Sequence, residues 1–465
     1  MEVSRIRALR GPNLWTRHTA IEAMVHCEGA QDELDAHPEF EIRLRQLFPP
    51  LGNLRSTDSK VRLSMAHALE VSTLHLQIEA GCPVTFSRTT STPDKGLYQV
   101  TVEYTEEAVG KRALEIAREL CLAAWHDQSF DVDEAIKALR NLDEDLRLGP
   151  STGSIVDAAI ARGIPFRRIT EGSLVQLGWG SKQRRIQAAE IDRTSAIAES
   201  IAQDKELTKK LLHAAGVPVP LGRPVRDADD AWVAAQEVGL PVVIKPRDGN
   251  QGKGVVVNIT TREGVIEAFH TASNFGTEVM LERYLPGSDY RLLVVGDKLV
   301  AAARREPPLV IGNGKNTVRE LVEQVNADPR RGDGHATSLT KIRFDEVALL
   351  RLKEQGYDAD SVPPKGARVI LRNNANLSTG GTATDVTDDV HPDVAASAIM
   401  AAQMVGLDIC GVDVVCESVL RPLEEQSGGV VEVNAAPGLR MHLSPSFGKG
   451  RDVGEAVMAT MFPDG

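Results

Sequence analysis

With 465 residues the chain is long enough for more than one domain and a substantial core, and its net charge of -12 and pI near 5.5 give no general electrostatic basis for gripping a polyanion. Nucleic acid is therefore excluded as an expected partner, and small molecules or cationic partners are favoured. Five cysteines, Cys27, Cys82, Cys121, Cys410 and Cys416, are odd in number, scattered and never spaced C-x-x-C, which argues against a disulfide framework and a zinc site and for a reducing cytoplasm.

The first residues, MEVSRIRALRGPNLW, carry early charges but no apolar core of a secretory signal. YQVTVEY alternates, with Val100, Val102 and Tyr104 on one face and Gln99, Thr101 and Glu103 on the other, as a half-buried strand does. Helical segments follow from Glu106 to about Trp125 and from Asp131 to Leu146, where Ile136, Leu139 and Leu146 recur at helical spacing. Together these predict a small α+β domain over 1–150, in which no catalytic residue is legible.

LGPSTGS punctuates the chain and opens a second region over 151–465. Here the order is helix (Ile155 to Ala161), strand (Phe166 to Ile169), strand (Leu174 to Leu177) and helix (about Thr194 to Ala215), the last closed by Gly216 and Pro218. LPVVIKP, GKGVVVNIT and EVMLERYL read as three short strands of an antiparallel lobe, and the apolar runs around Gly296 and Asp297 as a hairpin. A helix (Val394 to Val405), a strand (Val412 to Cys416) and a strand (Val430 to Asn434) follow. The longest apolar-looking stretch, VAASAIMAAQMVGLDICGVDVV, is interrupted by Gln403, Asp408 and Asp413 and divided by Gly406, so no membrane span is expected.

Three segments carry chemistry. Lys245 ends the strand VVIK, and the loop RDGNQGKG arches beyond it. Gly249, Gly252 and Gly254 would expose amides to phosphate oxygens there, with Lys253 adding charge. The loop fails the P-loop pattern, because Gly254 follows Lys253 where a hydroxyl should hold magnesium; a plain tight turn is the alternative. In VMLERYLPGSDYRLLV, backbone beyond a strand could present groups to an adenine edge and Asp289 would suit the paired hydroxyls of a ribose; the alternative is a strand leaving the core with a charged end. In the last segment Asp413 lies in one apolar strand and Glu432 and Asn434 lie two apart in the next, facing one way. Such groups are costly to bury unless neutralised, either by magnesium, which takes hard oxygen ligands, or by pairing with Arg440 or Arg304.

This order of strand lysine, glycine hairpin, hinge and acidic hairpin resembles the ATP-grasp superfamily from about Ile191 onward. The resemblance implies ATP between two α+β lobes, with a lid lobe about 217–290. By that analogy Lys205 and Lys245 contact phosphates, Glu282, Arg283 and Leu285 form the adenine hinge, Asp289 holds ribose, and Asp413, Glu432 and Asn434 hold Mg2+. RGPN, LGPSTGSIVDAAIARGIP, VQLGWGSKQRRI, DGNQGKGV, NLSTGGTATDVTDDVHP and VEVNAAPGLRMHLSPSFG together are similar to the amino-terminal and ATP-grasp portions of the cyanophycin synthetase family. That likeness implies addition of L-aspartate to a poly-aspartate backbone carrying arginine, with polymer or primer as partner, an amino-terminal domain that holds the polymer, and a homo-oligomer. The chain reaches FPDG before any G-T-N-G-K-T motif of the Mur-ligase-like half that adds arginine in the family, so the expectation is either a portion of a longer protein or a protein with one of the two activities, and Gln251 stands where some relatives carry histidine.

The reaction expected is carboxylate activation by ATP to an acyl phosphate, followed by amide formation, with Lys205, Lys245, Arg304 and magnesium neutralising charge. Ser378, Thr379 and the amides of Gly380 and Gly381 offer a nest for a carboxylate, the alternative being a solvent loop. Arg291, two past Asp289, should share its face and meet the acceptor carboxylate or acyl phosphate. Ser151 and Glu199 match positions that resemble the family's acceptor site. His442 is expected to be structural and Trp179 a core or interface aromatic. Rival expectations are a glutathione-type ligase and a polymer-binding protein without catalysis.

Overall fold

In the computed structural model, which describes residues 1–52, 54, 63–247, 254–332, 339–372 and 375–463, the alternating segment YQVTVEY lies inside a four-stranded antiparallel sheet. Its strands β1 (Glu2–Leu9), β2 (Ala20–His26), β3 (Ser87–Ser91) and β4 (Leu97–Glu103) are ordered β1-β2-β4-β3. The expectation of a polar, half-exposed face on β4 is corrected: Thr101 and Glu103 are buried as well. The Glu103 carboxylate accepts from the amides of Thr85 and Phe86 at 2.9 and 2.8 Å, and Gln77 donates to its carbonyl, so the buried charge is satisfied. Helices α1 (Pro38–Leu47), α2 (Met65–Ala80), α3 (Glu107–Trp125) and α4 (Val132–Leu146) complete this unit, α4 being capped by Asp131. Val109, Ala113, Leu120 and Ala124 of α3 recur at helical spacing and close a core with Ile21, Val25, Val100 and Val102.

The next helix, α5, spans Pro150–Ala161 and so begins earlier than the expected Ile155. The punctuation read in LGPSTGS is its first turn, where proline is tolerated because the missing amide would be unpaired in any case. By contact density Ala159–Gln183, including the paired strands β5 (Phe166–Arg168) and β6 (Leu174–Leu177), belongs with Met1–Leu148, whereas Gly149–Ala158 and Arg184 onward form the second unit. Trp179, at 47 % exposure, stands against Gly11 of the first unit.

The second unit opens with β7 (Arg184–Gln187) paired to β8 (Glu190–Ile191). The single helix expected over Thr194 to Ala215 is two, α6 (Ala196–Gln203) and α7 (Lys205–Ala214). Asp204 breaks it, because its carboxylate caps the amides of Glu206 and Leu207, a local bond that competes with helix continuation. A first lobe follows: β9 (Gly222–Val225), α8 (Ala228–Val238), β10 (Val242–Pro246), β11 (Val256–Ile259), α9 (Arg262–Ser273) and β12 (Val279–Arg283). Its strands form an antiparallel sheet in the order β11-β10-β12-β9, as the sequence expects of the three segments it names. Val242, Ile244, Val279 and Leu281 pack against apolar residues of α8 and α9, which turns the alternate residues, Lys245 and Glu282 among them, to the other face.

The second lobe is built on β13 (Ser288–Val295) and β14 (Lys298–Glu306), the expected hairpin. An insert carries β15 (Leu309–Ile311), α10 (Val318–Asn326), β16 (Arg331–Gly332), β17 (Leu339–Thr340), α11 (Glu346–Glu354) and β18 (Arg368–Ile370) around a small core of Val310, Leu321, Leu352 and Val369. After it come β19 (Thr382–Asp385), α12 (Pro392–Val405), β20 (Ile409–Cys416), β21 (Gly429–Asn434), α13 (Arg440–Leu443) and α14 (Val453–Met461). The central sheet is ordered β19-β14-β13-β20-β21, and its face bearing Tyr290, Leu292, Val412 and Val414 packs in one core with α6, α7 and α12. The opposite face carries buried Leu293, Val295 and Ala301 at one end and polar side chains at the other. All five cysteines are buried and unpaired, and among the described residues no helix is long and apolar enough to cross a membrane.

Candidate active site

On that polar face the register brings Asp289, Arg291, Arg305, Asp413, Glu432 and Asn434 together: Asp289 stands opposite Arg305, Arg291 opposite Asp413, and Asp413 opposite Glu432. Arg291 binds Asp413 through Nε and, at 3.2 Å, through Nη2, while Arg305 Nη2 reaches the same carboxylate at 3.1 Å. Burial raises the Asp413 carboxyl, but Arg291 and Arg305 outweigh it and hold the group below the usual carboxylate range. Burial also raises Asp289 against the pull of Arg305.

Helix α7 links this face to the first lobe. Lys205 and Lys209 lie one turn apart on it and so share a side. Lys205 Nζ stands 3.5 Å from Glu432 Oε1 on β21, and Lys209 is bonded to Glu282 Oε1 on β12. The other Glu282 oxygen takes Lys245 Nζ at 2.9 Å. Burial pushes the Glu282 carboxyl up, yet Lys245 and Lys209 together pull it down to about 2. Lys209 is pressed down to about 7 by burial and by Lys245, whereas Lys245 is raised against its burial by Glu282 and, further off, Glu432. The strand lysine and the acidic strands thus feel each other within the second unit.

Gly222 of β9 stands opposite Glu282, and a Cβ there would fall 2.2 Å from the Leu281 carbonyl oxygen and 2.7 Å from Glu282 Cγ. The glycine lets the glutamate side chain lie flat across its neighbour strand. The N-terminus of α7 is fixed by Arg247, whose guanidinium meets Asp204 at 3.1 Å and Glu206 at 3.3 Å. At the end of β12, the amides of Arg283 and Tyr284 are committed to the carbonyls of Leu221 and Pro241, and Leu285 lies against Gly429 of β21.

Several expected residues sit otherwise. Arg304 is on the opposite face, beside Tyr290, and is corrected as a charge-neutralising group of this site; Arg305 holds that place. Arg291 is engaged by Asp413 rather than open to an acceptor carboxylate. The nest at Gly380 and Gly381 is corrected too: their amides close their own turn, onto Leu377 and Asn376, and Thr379 bonds Asn376 through both amide and hydroxyl. Ser378 lies in the same 3-10 turn, and Gly380 suits its place twice over, by a φ of +99° and because a Cβ there would meet the Ile342 backbone at 2.7 Å. Ser151 accepts from the Leu439 amide at 2.9 Å, and Glu199 lies in the first turn of α6, near Glu190. Asp413 pairs with Arg291 and Arg305, not with Arg440 or Arg304. His442 is buried, held neutral at about 3 by burial and by Arg291, and its Nε2 has no hydrogen-bond partner among the described residues.

Gly249, Gly252 and Lys253 lie outside the described residues; Gly254 is described, two residues before β11. Among the described residues no three His, Cys, Asp or Glu side chains are grouped to hold a metal. Asp413, Glu432 and Asn434 nevertheless present two carboxylates and an amide oxygen on one face, with Asn434 Nδ2 turned to the Gly411 carbonyl, a donor set that suits a hard divalent cation. Lys209 and Arg305 went unread in the sequence. The first was legible as the helical neighbour of Lys205. An open cleft of about 410 Å³ lies elsewhere, lined by Asp328, Arg330, Arg331, Thr382, Ser446 and Phe447.

Residues 24–126 match the model of the cyanophycin synthase-like N-terminal domain, and residues 204–299 that of the carbamoyl-phosphate synthase L chain ATP-binding domain. Over its whole length the chain is 42 % identical to a cyanophycin synthetase of Nostoc sp., covering 53 % of that protein, and 41 % identical to one of Synechocystis sp., covering 55 %. The chain therefore spans about half the length of these relatives. A bifunctional glutathione biosynthesis protein of Clostridium perfringens is 35 % identical over 69 % of the chain and 41 % of that protein. Among solved structures, a bifunctional glutathione synthetase from Pasteurella multocida matches with a TM-score of 0.55 and 31 % identity, over 76 % of this chain and 50 % of that one.

Proposed function

Because this chain carries a cyanophycin synthase-like N-terminal domain and an ATP-grasp domain, in a sequence similar throughout to cyanophycin synthetases, we propose that it adds L-aspartate to the carboxyl end of a cyanophycin-like backbone. Its place among ATP-dependent ligases rests on the same likenesses. The observation that carries the reading is the meeting of Lys205 with Glu432 at 3.5 Å, which sets a cationic face against an acidic one.

In this reading Lys205 and Lys245 bind phosphate oxygens, the backbone around Glu282, Arg283 and Leu285 receives adenine, and Asp289 the ribose. The γ-phosphoryl passes from ATP to the terminal carboxylate of the acceptor, giving an acyl phosphate and ADP. The amine of aspartate then attacks the acyl carbon, the C–N bond forms, and phosphate leaves. A bare carboxylate repels a nucleophile and has no good leaving group; phosphorylation removes both obstacles. Arg291 and Arg305, held by Asp413, supply fixed positive charge where the transferred group becomes anionic. Glu432, Asn434 and Asp413 would hold Mg2+, which neutralises phosphate charge when bound. The N-terminal unit would hold the polymer, and a Mur-ligase-like part would supply arginine. We place the reaction in the cytoplasm, where ATP is available.

The test is to incubate the chain with ATP, Mg2+, L-aspartate and an arginine-decorated aspartate oligomer and weigh the product. A gain of one aspartyl unit with stoichiometric ADP is expected. Likeness to glutathione-forming proteins favours a second reading, a glutathione-type ligase; ADP release with glycine and a γ-glutamyl dipeptide, but none with aspartate, would replace the first reading by it.

A further inference from the structure

Glu282 is a buried carboxylate shared by two ammonium groups, Lys209 and Lys245, and only one of these has a task in nucleotide binding as described above. The sheet face settles why it is there. Lys245 and Glu282 point away from the apolar core of the first lobe, and Gly222 is kept bare so that the glutamate lies within reach of both lysines. Two buried cations and one buried anion leave an excess positive charge at this point, and Glu432, the next carboxylate, is already met by Lys205. A second buried anion is what such a triad lacks. The depression of Lys209 to about 7 is the same imbalance seen from the helix.

We propose that Glu282 is a stand-in for phosphate, holding Lys245 in place while the site is empty, and that Lys209 is a positioning residue that keeps Glu282 paired when Lys245 turns to the nucleotide. The inference rests on the nucleotide-site reading and adds a role for Lys209, which touches neither substrate nor cofactor in it. Without Lys209, Lys245 can bind phosphate only by leaving Glu282 charged, buried and unpaired, a state that costs at least as much as a lost charged hydrogen bond. With Lys209 present, Lys245 is released at little cost. The device couples the phosphate end of the site to the strand whose backbone leads to the hinge.

The experiment is calorimetric titration of the full chain with ADP and Mg2+, comparing wild type, Lys209→Met, Lys209→Arg and Lys209→Met combined with Glu282→Gln. Lys209→Met is expected to weaken ADP binding by about tenfold or more. Lys209→Arg, which keeps the charge, should stay within about threefold of wild type, and the double variant should recover most of the loss because no charge is orphaned. A folded Lys209→Met protein that binds ADP as wild type does would overturn the proposal and leave the nucleotide site standing. Wild type that fails to bind ADP would sink both together. Should Lys209→Met not fold, the double variant decides: near wild-type affinity supports the relay, a tenfold loss contradicts it.

Discussion

His442 is a residue whose charge state the second unit controls tightly. It is buried beside Arg291 and Arg305, and its imidazole is held neutral at about 3. The folded value lies below the ordinary 6.5, so the unfolded chain takes up the proton first. Stability from this group is therefore complete above pH 6.5 and is lost as pH falls toward 3, by up to roughly 4 kcal/mol. Chemical denaturation followed between pH 7 and 4 should show this slope in wild type and a flatter one in His442→Gln; equal slopes would show that the imidazole is not the cause. At this scale the sequence was legible where parity alone decides, as for Asp289 and Arg291, or Glu432 and Asn434. It was not legible for Arg304. A hairpin closing at Val295 and Lys298 without irregularity would set Asp289 opposite Arg304, but a bulge between Leu293 and Val294 moves the partner to Arg305. Nothing in an apolar run such as LLVVGDKLVAAA marks which strand takes the extra residue.

Among the elements, the break between α6 and α7 does most to position the site, since it starts a helix at Lys205 and aims Lys205 and Lys209 at two different sheets. Asp204 makes the break and Arg247 holds Asp204. Asp204→Ala removes a cap of about 1 kcal/mol and frees the segment to run on as one helix. The expected result is a modest loss of thermal stability by calorimetry together with a severalfold rise in the KM for ATP; a stability loss with KM unchanged would show that the cap serves the fold alone. The sequence hid this break because TSAIAESIAQDKELTKKLLHAA keeps a helical rhythm through the aspartate, and a side chain that caps is told from one that faces solvent only by its neighbours. LGPSTGS misled in the opposite sense, since proline and glycine mark a turn and a first helical turn alike. The strands of the first lobe were legible because short β-branched runs bounded by proline and glycine have few other readings.

For the whole molecule, what the sequence conveyed was an order of motifs, each weak alone, and that order was enough for the ATP-grasp fold. It did not convey that Ala159–Gln183 belongs with the first unit, nor which groups neutralise one another, because those depend on contacts between distant segments. In the proposed reaction the lysines of α7 and β10 and the carboxylates of β20 and β21 act together to make a carboxyl group electrophilic by phosphorylating it. The direct measurement is isotope transfer: an acceptor whose terminal carboxylate carries oxygen-18 is turned over with ATP, Mg2+ and aspartate, and the released phosphate is analysed by mass. One oxygen-18 atom in each phosphate formed is predicted; phosphate free of the label, with amide still produced, would rule out an acyl phosphate.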